Sequence, residues 1–255
     1  MDNKYVLSSL ENTLKIIDLM ADVKEISIKE LSEKMHLANS TVFRILNTLL
    51  KYDYVTQNES TAKYSLAFKF VNIADAILQK YDIITITRDC IEELVEKVDE
   101  NAMMISFTNN QITVIEDYSS HKRNQAVYYY TGCAYPAYAS SAGNAFLAYM
   151  SEKKLRNYFS SVELTPLTPY TAISEDQVME KIRTGLDKGY FECDQEINEG
   201  VVSFSAPIFG SGSNVESVLT VYGAASEMNR KRALITEHLI AAAAECTEIN
   251  KQRLL

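Results

Sequence analysis

Between Asn39 and Tyr52 the chain sets Ser40, Thr41, Arg44, Asn47, Thr48 and Lys51 on one side of a helix and places no acid among them. Short hydroxyl and amide side chains with two cations suit phosphate contacts and hydrogen bonds to base edges in a DNA major groove. The other side is apolar: Val42, Ile45, Leu46, Leu49 and Leu50 follow the i, i+3, i+4, i+7, i+8 spacing of a buried helix face. Catalytic constellations do not emerge. There is no H-E-x-x-H, P-loop or G-x-G-x-x-G, and Gly210-Ser-Gly-Ser213 lacks the spacing of a nucleophile elbow. Asp194-x-Glu196-x-Asn198-Glu199-Gly200 has its glycine one place late for a calcium loop and no closing glutamate. Cys90, Cys133, Cys193 and Cys246 form no C-x-x-C pair, and His36, His121 and His238 are scattered, so four reduced thiols and no zinc site are expected. The expectation is a protein that is not an enzyme, with no metal and no cofactor.

Three elements position that polar face. A first helix starts near Ser9, with Leu10, Leu14, Ile17 and Met20 on one face and Ser8/Glu11 at capping-box spacing. A second follows Ser27, where Ser27/Glu30 repeat that spacing and Ile28, Leu31 and Met35 form the buried stripe. His36-Leu-Ala-Asn39 breaks the pattern, and Asn39 or Ser40 is positioned to cap the third helix, which makes a helix-turn-helix. Tyr54–Thr56 and Lys63–Leu66 alternate about a polar turn and predict a hairpin, a wing on which Lys63 could meet a phosphate. Alone, an amphipathic helix with a polar outer face is an ordinary solvated face of a bundle. The order helix, capped helix, short turn, acid-free helix, hairpin favours DNA.

Composition fits a soluble globular chain: 255 residues, 47% hydrophobic and 23% charged. The net charge of −9 falls almost wholly on the last two thirds, leaving the DNA-facing part near neutral. Phosphate binding needs local positive charge, not a basic whole protein. Neither a secretory leader nor a bilayer-spanning apolar run is visible, so a cytoplasmic location is expected.

Beyond the wing, Phe70, Ile73, Ala74 and Ile77 share a face of a linker helix. A helix around Cys90–Val98 follows, then strands at Ala102–Thr108, Ile112–Tyr118 and Gln125–Tyr130, with a hairpin turn at Asn109-Asn110. Helices are expected at Ala142–Met150 and, capped by Ser174/Gln177, at Glu175–Lys188. Strands return at Val201–Ile208 and Val215–Tyr222, before a last helix from about Met228 to Lys251. The fold class is α+β: a winged helix-turn-helix over 5–67, a linker helix over 68–82 and a sheet domain over 83–255.

The run Ser40-Thr41-x-x-Arg44-x-Leu46-x-x-Leu49, with Asp53-Tyr-Val55 and Lys63-Tyr-Ser-Leu66, resembles the helix-turn-helix of IclR-type transcription regulators. Gly132–Ala148, Tyr170–Ile173, Gly189-Tyr190, Glu196, Gly200 and Ala206-Pro-Ile208 resemble that family's effector domain, in family order. The resemblance implies a GAF-like effector-binding domain, double-stranded operator DNA as partner, and a homodimer or homotetramer formed largely through the N-terminal half. It also implies an effector pocket lined by Ser141 and Ala142, Cys193 at a turn with Asp194, Ser203, Thr220 and Tyr222. Amides at the start of the helix near Ser141 would hold a carboxylate, so a small organic, sugar or aromatic acid is the expected effector, acting on a repressor. Departures are Asp53 and Ala67 where glycine is common, and Asn144 where lysine is usual. Cys193 stands where Asp is frequent and Tyr222 where some relatives have Ser, which points to an effector other than the smallest keto acids, glyoxylate and pyruvate. Two alternatives stand beside this: a DNA-binding regulator without ligand sensing, and a metabolite-binding enzyme.

Overall fold

The computed structural model describes residues 6–78, 82–120, 129–210 and 212–253. The chain divides into two compact units, Met1–Lys80 and Tyr81–Leu255. Among the described residues no helix is long and apolar enough to cross a membrane.

The first unit contains α1 (Ser8–Ala21), α2 (Ile28–Met35), α3 (Asn39–Lys51), β1 (Val55–Gln57), β2 (Tyr64–Leu66) and α4 (Lys69–Leu78). Its core is Ile16, Met20, Ile26, Leu31, Val42, Leu46, Leu49, Val55 and Tyr64. The capping box at α2 is complete: Glu30 N–H donates to Ser27 Oγ at 3.2 Å, and Ser27 N–H to Glu30 Oε2 at 2.8 Å. The caps expected at α1 and α3 do not form. Leu7 is the N-cap of α1 and Ser8 lies inside the helix. Glu11 faces forward to Lys15 at 2.6 Å, an i,i+4 pair that takes the carboxylate away from the helix start. Ala38 is the N-cap of α3, so Asn39 and Ser40 sit in its first turn, with no side-chain cap bond. The face of α1 also differs: Ile16 and Met20 are buried, whereas Leu10 and Leu14 stay 55% and 54% exposed.

The second unit holds α5 (Asp82–Val98), β3 (Asn101–Thr108), β4 (Gln111–Tyr118), β5 (Ala134–Pro136) and a 3-10 turn at Ala137–Ala139. Next come α6 (Ser141–Ala148), α7 (Glu152–Ser161), α8 (Glu175–Lys188), β6 (Phe191–Asp194), β7 (Val201–Phe209), β8 (Val215–Ala224), α9 (Ala225–Arg230) and α10 (Arg232–Arg253). The strands form one sheet in the order β5-β4-β3-β8-β7-β6. Every pairing is antiparallel. Alternation along β7 separates two layers. Ser203 and Ser205 meet Ser141 of α6, whereas Phe204 lies under Arg232 of α10, its ring centre 4.8 Å from the guanidinium. Helices α5 and α10 pack together on that second face.

The Asn109-Asn110 turn has φ of 53° and 65°, the left-handed pair that a tight hairpin needs. The expected strand Gln125–Tyr130 lies mostly outside the described residues, and Tyr129 and Tyr130 at its end are not in a strand. Cys193 and Asp194 belong to edge strand β6, paired with β7, rather than to a turn, which begins at Gln195 with φ 61°. The final helix is two, broken at Lys231, whose ammonium binds Glu100 Oε1 at 2.7 Å and the carbonyls of Val98 and Asp99. At Ser174 the cap itself forms, but Gln177 returns its side chain to Ile173 N–H.

Candidate DNA-reading helix and effector cavity

In the first unit α2 ends at His36, which takes φ 53° and lets Leu37 N–H reach Ser32 carbonyl at 3.1 Å. That reversal makes room for α3 after only two further residues. Ser40, Thr41, Arg44, Asn47, Thr48 and Lys51 are all exposed on α3. The same side carries Phe43, 47% exposed, which the hydrophobic pattern does not mark. Since no side chain of the first turn is spent on capping, Ser40 keeps its hydrogen-bonding capacity for an incoming partner, while Thr48 Oγ1 donates to Arg44 carbonyl. Arg44, Thr41 and Thr48 also edge a groove of about 330 Å³ shared with Ser9, Leu10 and Thr13 of α1. Helix α3 ends in a Schellman turn: Tyr54 N–H bonds Leu49 carbonyl, Asp53 N–H bonds Leu50 carbonyl, and Asp53 sits at φ 61°.

Lys63 stands just before the wing's second strand, partly occupied by Glu30 at 3.5 Å. Glu30 is held below the usual carboxylate range, first by the Ser27 hydroxyl and amide and less by Lys63. The wing turn is tied down by Asn58 and Thr61, both donating to Glu25.

In the second unit the sheet register sets the residues expected to bind the effector on one face. Cys193 pairs with Ser203, and Ser203 with Tyr222; one step along, Ser205 pairs with Thr220. Above them is the start of α6, which Gly143 lets pack against the preceding 3-10 turn, where a Cβ would lie 2.1 Å from Ala137 carbonyl. Ser140 caps α6 by accepting from Gly143 N–H at 2.9 Å. Ser203, Ser141, Ser205 and Thr220 form a hydroxyl chain with links of 2.8, 2.8 and 2.7 Å. Ser205 donates to Ser141, so Thr220 donates to Ser205. Four hydroxyls share three links, which leaves one proton over, on Ser203 or Ser141. Ser205 is fully buried and absent from the sequence-based set, though alternation with Ser203 along the strand could have found it.

A cavity of about 10 Å³, room for one water, lies beside this chain. Ser141, Ala142, Ser203 and Thr220 are in its wall, with Met103, Ile105, Tyr129 and Tyr135 among the residues the sequence reading missed. Cys193 and Tyr222 are near it and not in its wall. The Cys193 thiol donates to Ala139 carbonyl at 3.3 Å, and burial pushes it up to about 11, which keeps it protonated. Tyr222 donates to Asp117 at 2.8 Å and packs edge-on against Tyr129 at 4.8 Å; Tyr129 packs edge-on against Tyr135 at 5.4 Å. Burial raises all three phenols, Tyr129 to about 12, so they act as neutral hydrogen-bonding groups. Asp117 is raised by burial, against the opposing pull of the Tyr222 and Ser119 hydroxyls.

The segment that looked partly like a calcium loop has another role. Glu196 is 1% exposed, accepts from Lys181 Nζ at 2.5 Å and from Ala172 N–H at 3.3 Å, and its carbonyl accepts from Thr171. It ties the loop before α8 to the β6–β7 turn.

Two family models match: the IclR helix-turn-helix domain over residues 9–59, and the bacterial transcriptional regulator IclR C-terminal domain over residues 75–248. The chain belongs to the IclR family of transcription regulators. The IclR-family match makes it a regulator and not an enzyme. The chain is 27% identical over 203 residues to the regulator KdgR of Dickeya chrysanthemi, covering 80% of this chain and 66%, just under two thirds, of that protein. It is 24% identical over 248 residues to the transcriptional repressor IclR of Escherichia coli, covering 94% of this chain and 89% of that one. An IclR homolog from Microbacterium hydrocarbonoxydans, solved with 4-hydroxybenzoate, shares the fold at TM-score 0.78 and 17% identity, covering 94% of this chain and 98% of that one.

Proposed function

We propose that α3 enters the major groove of operator DNA, with Arg44, Asn47, Ser40 and Thr41 toward base edges, Thr48 and Lys51 toward the backbone, and Lys63 on a flanking phosphate. The observation that carries this is the α3 face itself: six polar residues, all exposed, with no acid among them. A single recognition helix covers one half-site, so an operator of two half-sites needs a dimer or a pair of dimers. Leu7, Leu10 and Leu14 on α1, and Val71, Ile73 and Ile77 on α4, are exposed at 39–70% and supply apolar surface for a second copy. We place this repressor in the cytoplasm, with its DNA.

The effector is a small acid larger than glyoxylate or pyruvate. Its carboxylate meets the first amides of α6 and the spare hydroxyl proton at Ser141 or Ser203, while Tyr129 and Tyr135 present ring edges to an aromatic or sugar ring. The 4-hydroxybenzoate bound by the Microbacterium homolog supports an aromatic acid. Entry requires the Tyr129, Tyr135 and Tyr222 rings to move apart, and Cys193 and Tyr222 then join the wall. A second reading, a regulator that senses nothing, is favoured by the small size of the cavity, about 10 Å³.

The test is DNA binding to the region beside this gene at several salt concentrations, with a panel of small acids. Saturable, sequence-specific binding that shifts with one acid supports the first reading. Specific binding that no acid shifts supports the second. Absence of specific binding by folded protein refutes both.

A further inference from the structure

The α5–α10 layer holds a pair of thiols that neither the DNA face nor the effector cavity uses. Cys90 of α5 and Cys246 of α10 are both free and buried, and the Cys246 thiol donates to the Cys90 sulfur at 3.6 Å. Disulfide sulfurs lie about 2.05 Å apart, so closure needs the two sulfurs to approach by about 1.5 Å. The two sulfurs are not equivalent. Cys246 is fully buried, whereas Cys90 is 9% exposed and lines a cavity of about 60 Å³ with Glu93, Lys97, His238 and Glu245 around it. That volume admits a molecule the size of hydrogen peroxide to one sulfur only. The Lys97 ammonium, paired with Glu93 at 2.7 Å, is part of the same wall. Cys246 is held protonated by its hydrogen bond to Cys90 and by burial, which suits a group that reacts second.

We propose that Cys90 and Cys246 are a redox-modification site, oxidised by a hydroperoxide to a reversible disulfide that ties α5 to α10. The Cys90 sulfur attacks one peroxide oxygen, the O–O bond breaks, and Cys90 becomes a sulfenic acid while the departing oxygen takes up the Cys90 thiol proton and leaves as water, or as an alcohol from an alkyl hydroperoxide. The Cys246 sulfur then attacks the Cys90 sulfur. The S–OH bond breaks, and the departing hydroxide takes the Cys246 proton as water. Two thiols lose two electrons and two protons, and the peroxide is reduced by the same two electrons.

The experiment treats the full-length folded protein with hydrogen peroxide, alkylates the remaining thiols, digests without reductant and reads peptides by mass. The expected product joins the tryptic peptide 89–97 to the peptide 233–251, two hydrogens lighter than their sum, and dithiothreitol removes it. It forms equally in a variant with Cys133→Ser and Cys193→Ala, and not in Cys90→Ala or Cys246→Ala. In Cys246→Ala, dimedone labels Cys90 as the trapped sulfenic acid. Three results would overturn the proposal: both thiols still alkylated after oxidation, a Cys90–Cys90 link between two chains, or oxidation of Cys90 to the sulfinic acid with Cys246 untouched. Matching circular dichroism spectra for the alanine variants and the parent show that an absent link reflects the missing sulfur.

Discussion

Ser141 at the start of α6 and Ser205 in the middle of β7 are joined hydroxyl to hydroxyl at 2.8 Å, with Ser205 donating. This bond fixes the helix start over the sheet and sets the direction of the chain from Thr220 through Ser205 to Ser141. Ser205→Ala takes the hydroxyl partner from buried Thr220 and leaves Ser141 with Ser203 alone, and destabilises the protein by about 1–2 kcal/mol in chemical denaturation. Ser203→Ala, at the open end, costs less stability and weakens the acid effector several-fold by calorimetry. Equal effects of the two variants on both measurements would contradict the assigned direction.

Arg44→Ala weakens operator binding by roughly 1–3 kcal/mol when Arg44 reads a base, with thermal stability unchanged because the side chain is exposed. Lys63→Ala weakens binding to specific and non-specific DNA alike and lowers the salt dependence, as loss of one phosphate contact does. Fluorescence anisotropy with operator and scrambled duplexes separates the two. A uniform loss for Arg44→Ala would move it from base reading to backbone contact.

Asp53 holds the left-handed turn after α3 at φ 61°, the position where IclR relatives commonly carry glycine. Aspartate tolerates this conformation better than most residues but not without strain. Asp53→Gly therefore stabilises the protein by roughly 0.5–1 kcal/mol, and Asp53→Val, which is β-branched, destabilises it by about 1–2 kcal/mol. Thermal unfolding of the two variants gives opposite shifts if the turn sets the effect.

The same turn shows which parts of this structure the sequence carries. Helix α3 was legible because one short segment had both an apolar period and an acid-free opposite face, and Ser27/Glu30 marked α2 by a bond pair between near neighbours. Caps at Ser8 and Asn39 looked equally good and failed, since Glu11 found Lys15 one turn ahead and Ala38 took the cap of α3. Leu10 and Leu14 read as core because a sequence does not show which apolar positions of a helix the rest of the chain covers. Among the residues proposed to bind the effector, the strand hydroxyls were legible from the family resemblance. The Ser205 link, the Tyr129–Tyr222–Asp117 contacts and the demotion of Cys193 from the cavity wall depend on inter-strand register, which no local pattern encodes. Helix α7 was missed although Ser151 caps it and Leu155, Tyr158 and Phe159 share its inner face. Its many charges hide that stripe.

Lys181 and Glu196 give a prediction with a pH sign. Glu196 is almost fully buried and raised above the usual carboxylate range by desolvation, with Lys181 and Ala172 N–H pulling the other way. A carboxyl whose folded pKa lies above its unfolded value favours the folded state below the unfolded pKa, and that contribution is lost as pH rises through the folded pKa. In its charged form Glu196 depends on the Lys181 ammonium. Lys181→Met leaves that charge unpaired and costs about 1–3 kcal/mol, less than for a fully buried pair because Lys181 is 34% exposed and water reaches it. Loss of the lysine raises Glu196 further, so the deficit shrinks as pH falls and the variant's Glu196 takes up a proton. Glu196→Gln combined with Lys181→Met removes the charge altogether and recovers much of the loss at pH 7. Urea denaturation of parent, single and double variants at both pH values checks this, and a deficit in Lys181→Met that is the same at pH 5 and pH 7 would show that the lysine acts by packing rather than by charge.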